Sequence, residues 1–124
     1  MTLEELYQSI DGNYEQACNV LRIEKIIDKH IRKFPAGGVA QALIGAGETM
    51  DPTALFESAH AMKGVCANLG LTVLSDLASE ISEEFRPSKA RKLTDAQVKE
   101  LLSKIERQYK KTADGIALYE QSTL

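Results

Sequence analysis

Asp51 followed by Pro52, with Gly70 further on, brackets one stretch of this sequence at both ends. An N-cap carboxylate accepts from the orphan N–H groups of a first helical turn, and proline fits the first helical position because its missing N–H has no intrahelical partner there. Glycine just past a last turn is a good terminator. The spacing therefore predicts one helix over Pro52–Leu69, longer than the usual ~11–12 residues.

The rest of the chain reads as helix too. Thr2 caps a short helix to Ser9 with Glu4 and Glu5 in its first turn. Asp11-Gly12-Asn13 is turn chemistry, and Asn13 caps a second short helix from Tyr14 to about Leu21. Ile23, Ile26, Ile27, Ile31 and Phe34 recur at helical spacing until Pro35. Gly37-Gly38 separates them from a helical segment near Val39–Ala46. Thr72 is placed to cap a helix from Val73 to Arg86, stopped by Pro87, and Thr94-Asp95-Ala96-Gln97 is a capping box opening a long helix to about Glu120. No strand alternation, internal repeat or low-complexity tract is present. The expectation is an all-α fold, an antiparallel four-helix bundle. Its walls are Pro52–Leu69, Val73–Arg86, Asp95–Glu120 and the Ile23–Ala46 region, with the two short N-terminal helices as a cap.

The 124 residues suit a single domain, 1–124, able to bury a core without disulfides or metals. The net charge is −3 and the basic residues are mixed with acids, which argues against nucleic acid as a partner. No apolar run approaches the ~20 residues of a membrane span, and Met1–Ile10 carries two glutamates rather than a signal-peptide onset. A cytoplasmic location and no membrane partner are expected. Cys18 and Cys66 form no C-x-x-C pair, and Cys66 reads as a small buried hydrophobe.

On a helical wheel, Leu55, Ala59, Met62, Cys66 and Leu69 cluster within roughly 80° and form the core face. His60 falls about 140° from its centre, near Gly64 and Ala67. Lys63 lies between His60 and the edge of the stripe. This position argues against a core histidine, though not against an inert surface one. Gly64 could admit a neighbouring helix, but it sits on the solvent side, where a helical glycine costs about 1 kcal/mol against alanine. Phosphoryl transfer to an imidazole asks for this arrangement. An exposed imidazole is largely neutral at cellular pH and nucleophilic without a base. A lysine one turn on supplies a cation for the phosphoryl dianion, and a glycine beside the ring leaves room for another protein's loops.

His60-Ala61-Met62-Lys63-Gly64 followed by Leu69-Gly70 resembles the H-x-x-K-G-x-x-x-x-x-G signature of histidine-containing phosphotransfer (HPt) domains. Asp11-Gly12-Asn13-Tyr14-Glu15, Ile23–Phe34 and Leu74–Phe85 are similar to stretches of small bacterial stand-alone members, so the resemblance covers nearly the whole chain. It implies that His60 accepts the phosphoryl group, through Nε2, that Lys63 is the cation beside it, and that Gly64 is the clearance position. Met62 replaces the family's common leucine, a volume-conserving change. The resemblance further implies a carrier in a multistep phosphorelay of two-component signalling, not an enzyme with turnover. Its partners would be response-regulator receiver domains and a hybrid histidine kinase, with the magnesium ion and aspartate nucleophile on the receiver. No cofactor or metal is expected on this chain.

Three rival readings compete with this one. A histidine-kinase dimerisation domain has an acidic residue after its histidine and a proline nearby; here Ala61 follows, and no proline lies between Pro52 and Pro87. A helical interaction adaptor without phosphotransfer would tolerate loss of His60. Metal binding lacks further ligands at suitable spacing. His30 reads as structural or solvated, Asn68 as too far round the wheel, and Phe56 as either a boundary core residue or a partner contact. Glu80, Glu83 and Glu84 read as an acidic patch, either a solvated face or a surface that tunes partner choice electrostatically.

Overall fold

A computed structural model describes residues 1–122. Seven α-helices occur among them, and no strand: α1 (Leu3–Ser9), α2 (Tyr14–Leu21), α3 (Glu24–Lys33), α4 (Val39–Thr49), α5 (Pro52–Asn68), α6 (Thr72–Glu84) and α7 (Asp95–Ser122). A short 3-10 turn, Phe34–Gly37, joins α3 to α4.

The starts follow the capping chemistry. Thr2 and Glu5 form a reciprocal capping box, Asn13 accepts from the Gln16 N–H at 3.0 Å, and Thr94 and Gln97 exchange bonds of 2.8 and 3.1 Å. Thr72 is not a cap. It is the first residue of α6, whose N-cap Leu71 makes no side-chain bond.

Four helices close a bundle: α4 packs on α5, α5 on α6, α6 on α7, and α7 back on α4. The Ile23–Ala46 region thus divides. Its second half supplies the fourth wall as α4, while α3 joins α1 and α2 in the cap. Pro35 and the left-handed Gly38 separate the two parts, and an amphipathic stripe reveals which side is buried without naming the neighbour that buries it. Each fully buried leucine or methionine, such as Leu55 or Met62, contributes ~1.5–3 kcal/mol.

At 28 residues α7 outruns the bundle. Val98, Leu102 and Ile105 face the core, and the later turns reach the cap. Gln108 Nε2 donates to the Ile10 carbonyl at 2.9 Å, Lys111 pairs with Asp11 at 2.6 Å, and Tyr119 donates to Asp28. Gly115 admits α1, since a Cβ there would run into Ile10.

Candidate functional site

The helix that carries His60 is fixed at both ends. At its start Asp51 accepts from the Ala54 N–H at 3.4 Å, with Pro52 in the first turn. At its end Gly70, φ +70°, turns the chain. The Leu71 N–H returns to the Cys66 carbonyl at 2.9 Å, and the Gly70 N–H to that of Ala67 at 3.2 Å. This paired pattern is the Schellman stop.

Three further bonds come from the cap. The Tyr7 hydroxyl donates to the Leu69 carbonyl at 2.7 Å, Gln16 Nε2 to that of Ala67 at 2.8 Å, and the Asn13 N–H to that of Gly70 at 2.7 Å. Tyr7 is fully buried, and burial is the main cause that pushes its phenol above the ordinary range, so it stays a donor. These residues lie 51 to 62 positions before the carbonyls they serve, and no local signal marks those partners.

The predicted core face is the observed one: Leu55, Ala59, Met62, Cys66 and Leu69 are all buried. Burial pushes the Cys66 thiol up to about 12, which leaves it an inert hydrophobe. His60 is exposed, and among the described residues it makes no hydrogen bond or ion pair. Its contact is Phe56, one turn earlier, with ring centroids 5.7 Å apart and planes at 20°. Phe56 itself is half-buried and packs against the core, which makes it a boundary residue that also touches the histidine.

Lys63 is half-buried and has no ion pair among the described residues. Its backbone is tied to α6, where Ser75 Oγ donates to the Lys63 carbonyl at 3.4 Å. Gly64 is exposed, and a Cβ added there would meet nothing within 4 Å. No neighbouring helix uses the space, in contrast to Gly115. Ala61 is exposed as well, so the surface C-terminal to His60 is bare.

The predicted acidic patch on α6 does not exist as a unit. Glu80 is exposed, Glu83 is paired with Arg86 and Lys89, and Glu84 is only 7% exposed. Glu84 accepts from the Leu93 N–H at 2.8 Å, the Lys92 N–H at 3.1 Å and Arg91 Nε at 3.2 Å. Burial acts to raise its carboxyl pKa, but those donors outweigh it and hold it below the ordinary value. Glu84 is thus the anchor of the α6–α7 connection, turned inward because that connection folds back over it.

His30 is exposed on α3 and Asn68 on α5. Both border a groove between the cap and α5. Among the described residues no group of His, Cys, Asp and Glu side chains could hold a metal ion, and no helix is long and apolar enough to cross a membrane.

The family model of the Hpt domain matches residues 2–108. No curated protein and no solved structure matches the chain. A match reaching from the first helix into the last, on an all-helical bundle, shows that this chain belongs to the Hpt domain family, the phosphocarrier module of phosphorelay signalling.

Proposed function

We propose that His60 is the phospho-accepting residue, with Lys63 as the cation beside the phosphoryl group and Gly64 as the clearance for the partner's loops. The observation that carries this reading is the empty space at Gly64 next to an exposed, unbonded imidazole. A helical glycine with no packing role costs about 1 kcal/mol, and a docking surface gives it one.

The step balances simply. The lone pair of neutral His60 Nε2 attacks the phosphorus of a receiver's aspartyl phosphate. The N–P bond forms, the acyl P–O bond breaks, and the aspartate leaves as a carboxylate. The proton on Nδ1 stays in place, so no base is needed on this chain. Return transfer reverses each bond. Lys63 offsets the dianion while it rests on the imidazole. Positioning and the remaining charge stabilisation come from the receiver, which supplies its own magnesium ion and aspartate. In this reading residues 1–124 act as one module in the cytoplasm, between receiver domains and a hybrid histidine kinase.

The test is incubation with a phosphorylated receiver domain, followed by assay for acid-labile, alkali-stable label on this chain. Label on the wild type and none on His60→Gln is expected. Equal label on both would show the assignment to be wrong.

A further inference from the structure

Four of the seven large apolar side chains left exposed among the described residues are Val20, Ile23, Ile26 and Val65. The first three lie at the α2–α3 corner. Val65 lines the groove beside it, with Leu21, His30 and Lys33. The corner is strained. Arg22 has φ 70° and ψ −42°, and the Ile23 N–H bonds back to the Leu21 carbonyl at 2.7 Å. That is the rare form of the γ-turn, costly for a residue with a Cβ. It holds Ile23 in solvent at 57% exposure. Strained backbone of this kind gathers at functional surfaces.

The groove holds about 390 Å³. Leu21, Phe34, Val39 and Val65 make its walls apolar, and His30 and Lys33 add polar groups to its lining. The charge of the segment that supplies His30 and Lys33 to it opposes that of the whole chain. The net charge is −3, yet residues 22–33 hold five basic and two acidic side chains, of which Asp28 is held by Arg32 and Tyr119. Arg22, Lys25, Lys29 and Lys33 are exposed and have no side-chain partner among the described residues. Seven of the other eleven Lys and Arg side chains are paired.

We propose that this corner docks an acidic segment of the receiver that exchanges the phosphoryl group, with an apolar side chain in the groove and carboxylates against Lys29 and Lys33. The inference rests on the phosphotransfer reading of His60 and adds a selectivity surface to it. Val65 follows His60 by five residues, ~7.5 Å along the helix axis and about 140° round it, so the groove opens on the flank of α5 beside the histidine's face. A docked domain with a radius of gyration of about 13 Å is wide enough to touch both. Complementary charge speeds encounter and rejects partners of the wrong sign. An anionic membrane would meet the same lysines but leave the concave groove unfilled, so a protein segment fits better.

The experiment uses the receiver that labels the wild-type chain. K29E/K33E and, separately, Val65→Asp are compared with wild type in phosphotransfer kinetics, with circular dichroism confirming their folds. KM is expected to rise about tenfold in each, with the rate at saturation kept, and the K29E/K33E difference is expected to shrink in about 0.5 M salt. Amide shifts on adding unphosphorylated receiver should include Leu21, His30, Lys33 and Val65. Unchanged KM in both variants, or shifts confined to the His60 face, would overturn the proposal while leaving the His60 reading intact. Absence of label on the wild type would overturn both. Vesicles containing phosphatidylserine are the remaining arm: shifts of the same amides by vesicles and not by receiver would overturn it in favour of a membrane.

Discussion

The imidazole of His60 rests against the ring of Phe56, which is half-buried and anchored in the core. The histidine therefore has a fixed wall on one side and open surface at Gly64 on the other. A stacked aromatic pair contributes ~0.5–1.5 kcal/mol beyond its buried area. Phe56→Ala should free the ring and slow single-turnover transfer by about three- to tenfold if that preorganisation is lost. It should also destabilise the bundle by about 2 kcal/mol, less than a fully buried phenylalanine would lose. Side-chain NMR of His60 would separate the effects, since averaging of its ring signals in the folded variant reports lost positioning.

Gly64→Ala should move stability and function in opposite directions. Nothing lies within 4 Å of the added Cβ, so the substitution gains helix propensity, about 1 kcal/mol, and raises Tm by ~3–6 °C. Transfer from a phosphorylated receiver should slow, and Gly64→Gln should slow it further. A thermal melt beside a transfer assay checks both halves. Gly64→Ala with lowered Tm, or with transfer at the wild-type rate, would remove the clearance role.

Glu84 ties stability to acid. Its carboxyl pKa is held below the ordinary value on balance by the Leu93 and Lys92 N–H groups and Arg91. A depressed folded pKa means that its contribution is present in full above the ordinary glutamate range, about 4.5, and is lost as pH falls through the lower folded value. Urea midpoints for wild type should therefore drop below pH 4.5. Glu84→Gln should be less stable at pH 7, by about 1–2 kcal/mol, and its midpoint should fall less steeply in acid. A parallel acid limb in both proteins would assign the drop to other carboxylates.

Tyr7→Phe should cost about 1–2 kcal/mol, because it leaves the buried end of α5 one donor short. Hydrogen exchange should quicken first at Leu69–Leu71, ahead of α4 and α6. Uniform acceleration across the bundle would mean that Tyr7 acts through general packing instead.

Much of this arrangement is legible in the sequence because it is local. Asp51-Pro52, Gly70 and the Thr94–Gln97 box mark ends that the backbone chemistry enforces, and the α5 wheel separates Met62 from His60 correctly. What escapes is distance in the chain. Tyr7 and Gln16 serve carbonyls on α5 from across the fold, and a hydroxyl or amide in a short helix carries no mark of such a partner. Glu84 looks like its neighbour Glu83 until the α6–α7 connection folds back and supplies N–H groups. The division of Ile23–Ala46 between cap and bundle likewise depends on α7, whose C-terminal turns give α3 its neighbour.

That final helix changes what counts as the edge of the module. The family match stops at 108, but Lys111, Gly115 and Tyr119 hold the cap, and the cap holds the end of the helix carrying His60. A fusion or excision joint drawn at 108 would cut a lever arm whose far end steadies the helix that carries His60. A joint beyond Ser122 keeps that arm whole.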